Sequence, residues 1–277
     1  MKFTKMQGAG NDYVYVDCTE QEVSEPEKLA VKVSDRHFGI GADGLVLICS
    51  SQVADFRMRM FNADGSEAQM CGNASRCVGK YVYDNKLTDK TQLTLETGAG
   101  IKTLRLLVES GKVARIKVDM GAPELRPEKI PVLWNQERMV NTPVEVNGKT
   151  FRMTTVSMGN PHVVIFVDDV SEFDVHHWGK LIEKHHLFPE KVNVEFVEVM
   201  LKEELRMRVW ERGSGETMSC GTGACASVVA SVLNGWTSSK AMVHLLGGDL
   251  EVEWNIDTSH VYMSGGAETV FTGNIEL

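Results

Sequence analysis

The chain has 277 residues, which at about 150 residues per domain is room for two domains with sizeable cores. Hydrophobic residues make up 43% and charged residues 24%, with 25 Gly and 7 Pro, a composition that excludes a disordered or fibrous chain. Its 29 basic and 38 acidic residues give a formal charge of −9 with no Lys/Arg block, which argues against a nucleic-acid or anionic-membrane partner. No apolar signal core follows Met1, and no apolar run approaches the ~18 residues of a spanning helix, so the expectation is a cytoplasmic chain with no membrane association. Six cysteines are too sparse for a disulfide scaffold and in that compartment stay thiols.

In chain order, the first pattern is Gly39-Ile40-Gly41-Ala42-Asp43-Gly44, which fits G-x-G-x-x-G but fails as a dinucleotide fingerprint. A helix must follow such a loop, whereas residues 45–48 (Leu-Val-Leu-Ile) read as a strand. Residues 56–61, 91–95 and 115–118 alternate as strands, and residues 72–82 carry Ala74, Cys77, Val78, Tyr81 and Val82 at helical spacing. The segment 121–131 reads as a crossing between domains. Gly148-Lys149-Thr150 resembles the end of a P-loop, yet the first glycine would have to be Pro143, and Asn147-Gly148 is better explained as a hairpin turn between 144–146 and 151–153.

Further on, 163–167, 205–210 and 250–254 read as strands. His176-His177 and His185-His186 are too far apart on a helix, about 12 Å of rise, for one metal ion, and no C-x-x-C pair offers a zinc site; a polar helix face is expected, with no metal. Residues 221–233 are small or apolar nearly all round, so this helix must be buried, and Asn234-Gly235 stops it. Residues 267–277 lie beyond the last domain and are expected to return as a strand to the first.

Shifted by 149 residues, the distance from Cys71 to Cys220, the chain repeats itself: Gly10-Asn11 falls on Gly159-Asn160, Arg57-Met58-Arg59 on Arg206-Met207-Arg208, Glu67 on Glu216, Cys71-Gly72 on Cys220-Gly221 and Gly98 on Gly247. The fold expected is α/β (α+β), with two pseudo-twofold-related domains, each a mixed or antiparallel sheet wrapped around a central helix. The domains would be 1–119, completed by the strand 267–277, and 120–266, each carrying one of the two matched cysteines.

Cys71 and Cys220 each precede a Gly at the mouth of a predicted helix, where unpaired N–H groups and the helix dipole stabilise a thiolate and grip a carboxylate. Cys18, Cys49, Cys77 and Cys225 read instead as small buried hydrophobes. Two helix mouths related by a pseudo-twofold would set two sulfurs on opposite sides of one cleft, the requirement for inverting a stereocentre: one thiolate takes the α-proton and the facing thiol returns one. That geometry predicts a racemase or epimerase.

At these residues the chain resembles the cofactor-independent diaminopimelate epimerase family, related to proline racemase. The resemblance rests on Asn62-x-Asp64-Gly65-Ser66 followed by Cys71-Gly72-Asn73-Ala74-x-Arg76, and extends through Gly8-x-Gly10-Asn11-Asp12, His37-x-Gly39-Ile40-Gly41-x-Asp43, Gly159-Asn160-Pro161-His162, Asn193-x-x-Phe196, and Glu211-Arg212-Gly213-x-Gly215-Glu216-Thr217 leading to Cys220-Gly221-Thr222-Gly223. It implies interconversion of L,L- and meso-diaminopimelate, on the route to lysine and peptidoglycan, by a homodimer using neither pyridoxal phosphate nor metal. Cys71 and Cys220 would be the proton-transferring thiols, with His162 and Glu211 matching the family residues that assist them.

A substrate with two amino-acid ends needs anion receptors and amides. Gly72-Asn73 and Gly221-Thr222 supply helix-start N–H groups for the reacting carboxylate, Arg212 a bidentate partner for the distal one, and Asn11, Asn62, Asn160 and Asn193 align with family asparagines that hydrogen-bond the polar ends. Gly44 stands where the family is expected to carry Gln, and its repeat partner Asn193 could compensate. A proline racemase-like enzyme is the alternative, disfavoured because Arg212, Asn160 and Asn193 suit a second polar head; a catalytically silent binding protein would be expected to have lost a thiol.

Overall fold

The structure, a computed structural model, describes residues 1–276. In chain order its elements are β1 (Lys2–Gly8), β2 (Asn11–Cys18), α1 (Pro26–Ser34), β3 (Gly44–Cys49), β4 (Phe56–Asn62), β5 (Glu67–Ala68), α2 (Gly72–Asp84), β6 (Gln92–Thr97), β7 (Gly100–Glu109) and β8 (Lys112–Gly121). There follow β9 (Thr142–Val146), β10 (Lys149–Ser157), β11 (Pro161–Phe166), α3 (Val175–Glu183), β12 (Asn193–Leu201), β13 (Glu204–Glu211), β14 (Gly215–Thr217), α4 (Gly221–Leu233), β15 (Lys240–Leu245), β16 (Gly248–Trp254), β17 (Val261–Gly265) and β18 (Glu268–Asn274). The chain divides into two compact units, Met1–Asp119 together with the C-terminal segment from Ser264, and Met120–Met263. Among the described residues no helix is long and apolar enough to cross a membrane.

In the first unit β1 lies antiparallel to β2 and to β18, so the C-terminal strand completes the sheet. β2 and β3 run parallel, with α1 as the crossover between them; β4 is antiparallel to β3 and β5 and parallel to β6, with α2 as the second crossover. β6, β7 and β8 finish it as an antiparallel meander. The fully buried Arg76 of α2 donates from Nε to the Gly266 carbonyl at 3.1 Å, tying helix to returning segment.

The second unit repeats this order. β10 pairs antiparallel with β11, β11 parallel with β12 across α3, β12 antiparallel with β13, β13 parallel with β15 across α4, and β15 antiparallel with β16. Six strands, β10 to β13 with β15 and β16, touch α4. Its burial explains the small-residue sequence: Ser227 and Ser231 satisfy their hydroxyls internally, on the Gly223 and Ser227 carbonyls at 2.8 and 2.7 Å. Asn147 and Gly148, with φ of 49° and 80°, form the turn between β9 and β10 as their sequence requires.

Registers coincide in the two units. Val14 faces Leu45 as Val163 faces Val194, and Phe61 faces Glu67 as Trp210 faces Glu216. Arg59 pairs with Glu67 at 2.8 Å and Arg208 with Glu216 at 2.7 Å. The offset of 149 holds only through the two 13-residue helices. From there it is 148, as from Thr97 to Leu245, so Gly100 corresponds to Gly248, and the Gly98–Gly247 match in the sequence is not a structural one.

Two further expectations change. α3 stops at Glu183, so His185 and His186 lie beyond the helix that carries His176 and His177 rather than on one polar face. Cys18 and Cys49 are not isolated core thiols: they are half-buried and face each other across β2 and β3, and the hydrogen bond from Cys18 holds the Cys49 thiol down at about 7.

Candidate active site

In the first unit Cys71 is the N-cap of α2, with extended backbone (φ −141°, ψ 123°) and Sγ accepting from the Ala74 N–H at 3.5 Å. The Cys71 Sγ also lies 3.4 Å from Asn11 Oδ1, to which Asn73 donates from Nδ2 at 3.5 Å. Asn11 is aimed by Asp43, whose Oδ2 accepts from its Nδ2 at 2.8 Å and from the Asp12 N–H at 3.1 Å. Behind them Arg36 bridges Asp12 and Asp43 at 3.0 Å each, and Lys5 pairs with Asp12 at 2.6 Å. Burial would raise the Asp12 carboxyl, but Arg36 and Lys5 outweigh it and hold it below its ordinary range; burial wins at Asp43, which is raised.

In the second unit Cys220 occupies the same position at α4, with φ −127°, ψ 109° and Sγ accepting from the Gly223 N–H at 3.3 Å. A chain of polar contacts runs away from it. The Thr222 hydroxyl is 3.4 Å from Sγ and accepts from Asn160 Nδ2 at 3.3 Å; Asn160 Oδ1 is 3.0 Å from His162 Nε2; His162 Nδ1 is 2.7 Å from Glu195 Oε1. His162 and Glu195 have fully buried side chains. Glu211, at the end of β13, accepts from the Thr217 hydroxyl at 2.5 Å.

Burial pushes the Cys220 thiol well above its ordinary value, and the charges of Glu211 and Glu195 push it further, against the opposing hydrogen bonds of Thr222 and Gly223. The helix terminus alone would favour a thiolate; here desolvation and two carboxylates outweigh it and raise the thiol. Glu211 is itself raised, by burial first and by Glu195, against hydrogen bonds from Thr217 and Cys220 and the charge of His162.

The structure thus joins Cys71 with Asn11 and Asn73, and Cys220 with Thr222, Asn160, His162 and Glu211. Gly72 and Gly221 open their helices, where first-turn N–H groups have no intrahelical acceptor. Asn62 spends its Nδ2 on the Ser66 hydroxyl at 3.0 Å. Asn193 is buried and bonded at both ends to backbone, donating to the Pro161 carbonyl at 2.8 Å and accepting from the Arg212 N–H at 2.9 Å, so it fixes the start of the Arg212 loop. The Arg212 guanidinium donates to the Glu190 carbonyl at 3.1 Å. At Gly44 a Cβ would overlap the Phe61 carbonyl oxygen and stand 2.8 Å from the Tyr13 ring, so this backbone has no room for the Gln expected there.

Asp43 and Thr217 stand in the quoted motifs with no role read for them there, and Glu195 stands in none. Glu195 left one signal, an acid inside the apolar run Val192, Val194, Phe196, Val197. Among the described residues no cluster of three or more His, Cys, Asp or Glu could hold a metal ion.

A duplicated sheet about a central helix is a fold seen in solved structures. A phenazine biosynthesis protein of the PhzF family from Bacillus anthracis superposes with a TM-score of 0.73 at 17% identity, covering 100% of this chain and 99% of that one. A hydroxyproline epimerase from Agrobacterium vitis superposes with a TM-score of 0.70 at 13% identity, covering 99% and 90%. At such identities the likeness is one of fold.

Sequence comparison narrows the class. The family model for diaminopimelate epimerase matches residues 3–126 and 154–270. A diaminopimelate epimerase of Acetivibrio thermocellus is 59% identical over 277 residues, covering 100% of this chain and 99% of that protein, and one of Methanococcus maripaludis is 56% identical with 100% of both covered. The chain belongs to the diaminopimelate epimerase family.

Proposed function

We propose that the chain interconverts L,L- and meso-diaminopimelate, in the supply of lysine and peptidoglycan precursors, with Cys71 and Cys220 as the two proton-transferring groups. The observation that carries this reading is the matched pair of cysteine caps, each with its Sγ on the N–H three residues on, at the start of a 13-residue helix, in two units of one strand order. Family membership supplies the substrate.

One cysteine, as thiolate, takes the α-proton and becomes a thiol. The other, as thiol, gives its proton to the opposite face of the same carbon and becomes the thiolate, so the pair ends one turnover with its roles exchanged and no net gain or loss of protons. Negative charge that develops on the substrate carboxylate is met by the helix-start N–H groups at Gly72-Asn73 and Gly221-Thr222. His162 and Glu211 assist Cys220, Arg212 takes the distal carboxylate, and Asn11, Asn62, Asn160 and Asn193 position the polar ends directly or through backbone. A cytoplasmic homodimer is part of the proposal; Val270 and Phe271 on β18, 56% and 45% exposed, are apolar groups such an assembly could cover.

The test is proton NMR of reduced protein with L,L-diaminopimelate in D₂O, with L-proline in a parallel tube. Loss of the α-proton signal and growth of the meso isomer with diaminopimelate alone is expected. Exchange with proline alone keeps the two-thiol chemistry and discards the substrate; exchange with neither discards both. Mild oxidant should abolish activity and reductant restore it, since joining the two thiols as a disulfide removes both acid and base.

A further inference from the structure

Glu195 stands apart from every residue singled out by motif. It is a fully buried carboxylate on β12, with Oε1 2.7 Å from His162 Nδ1 and no hydrogen-bond partner for Oε2. A buried carboxylate oxygen left unsatisfied is destabilising, so stability alone gives no reason for an acid here. The fold makes room for it: a Cβ at Gly223 would lie 2.7 Å from Glu195 Oε1 and 3.3 Å from the Cys220 Cβ. Gly223, whose N–H caps the Cys220 sulfur, is therefore a helical glycine because Glu195 occupies the space its side chain would fill.

The first unit shows the apolar alternative. At the offset of 149, Glu195 corresponds to Val46, Gly223 to Ala74 and His162 to Tyr13. Val46 and Ala74 are both fully buried. Acid, imidazole and glycine occur together in one unit and are replaced together in the other.

We infer that Glu195 is a positioning residue for Cys220: it orients the His162 ring through Nδ1, so that Nε2 is presented to Asn160, and through Asn160 and Thr222 the chain aligns the thiol. Its other ionisable neighbours are Glu211 on β13 and Cys220 on α4. With the Glu195 carboxylate on one ring nitrogen and the Asn160 carbonyl on the other, both nitrogens face acceptors, which fixes the ring against a flip. The inference rests on the two-thiol reading for its catalytic consequence, while the placement of the His162 proton does not.

The experiment uses Glu195→Gln, which keeps shape and an acceptor oxygen but removes the charge, and Glu195→Val with Gly223→Ala, which rebuilds the pair found in the first unit. In the wild type, nitrogen-15-labelled histidine should show one far-downfield Nδ1 proton, assigned by its loss in His162→Asn; Glu195→Gln should move it upfield and the double variant should lack it. Both variants are expected to fold, with kcat for diaminopimelate lowered about 100-fold and KM changed less than about twofold. Near wild-type kcat in the folded double variant, or an unmoved resonance in Glu195→Gln, overturns the inference. A wild-type protein that shows the resonance but no exchange on diaminopimelate overturns the proposed function instead.

Discussion

Cys71 and Cys220 share a backbone conformation, a helix of the same length and a sulfur resting on the N–H three residues on, yet their surroundings have little in common. Around Cys71 lie amides, Asn11 and Asn73, backed by an ion network whose Arg36 side chain is 58% exposed. Around Cys220 lie a fully buried histidine and carboxylate and a second, partly buried carboxylate, Glu211, at hydrogen-bond reach. Duplication supplied one scaffold twice, and the residues facing the two sulfurs made the sites unequal. Burial and two acids push the Cys220 thiol upward, a bias that the amides around Cys71 do not supply.

Several substitutions test that contrast. Cys71→Ala and Cys220→Ala should each lower kcat by roughly 10³-fold or more, because a two-base exchange needs both groups; a variant that still inverted its substrate at near wild-type rate would reduce the mechanism to one base. Glu211→Gln should lose about 100-fold in kcat yet gain thermal stability at neutral pH.

That gain comes from the raised Glu211 carboxyl. Folded protein holds this proton above the ordinary value of 4.5, the unfolded chain releases it there, and the wild type therefore loses stability as pH climbs from about that value through the raised one. Gln has nothing to release and keeps the Thr217 hydrogen bond. Melting temperatures of the two proteins should meet near pH 4 and separate by about pH 8, the variant higher; curves that stay parallel would contradict the assignment.

Smaller effects test the scaffold. Gly223→Ala should cost about 1–2 kcal/mol by crowding Glu195, whereas the counterpart change Ala74→Gly should cost about 1 kcal/mol through helix propensity alone, so each unit prefers the residue it has. Urea titration of the pair decides it. The repeated ion pairs should differ too. Arg59, paired with Glu67 and stacked on Phe61, should be worth about 0.5–1 kcal/mol. Arg208 also donates to the Val170, Ser171 and Phe173 carbonyls at 3.0, 3.1 and 2.9 Å and should be worth about 1.5–3 kcal/mol. Equal losses in the two alanine variants would mean the extra carbonyl contacts contribute nothing.

Local chemistry made much of this legible beforehand. The Asn147-Gly148 turn, the buried helix 221–233 and the strands around them are read from residue type and period, because those patterns act over a few residues at a time. The cysteine caps are legible for the same reason: a cysteine before a glycine-led helix is a local motif, and repetition 149 residues on marks both copies. Where the copies drift, identity misleads, as at Gly98 and Gly247, since a one-residue change of offset in a loop is invisible to matched letters and plain in strand register.

Residue pattern and repetition carry the duplicated α/β plan, the paired cysteines and the family resemblance. The direction in which Cys220 is driven, the want of a side chain at Gly44 and the place of Glu195 behind His162 come from the packed fold. Each depends on groups that the chain keeps apart and the sheet brings together: His162 and Glu195 are 33 residues apart on neighbouring parallel strands, and the Phe61 carbonyl that closes over Gly44 belongs to the strand beside it. Burial, which no run of letters displays, then sets the strength of every charge among them.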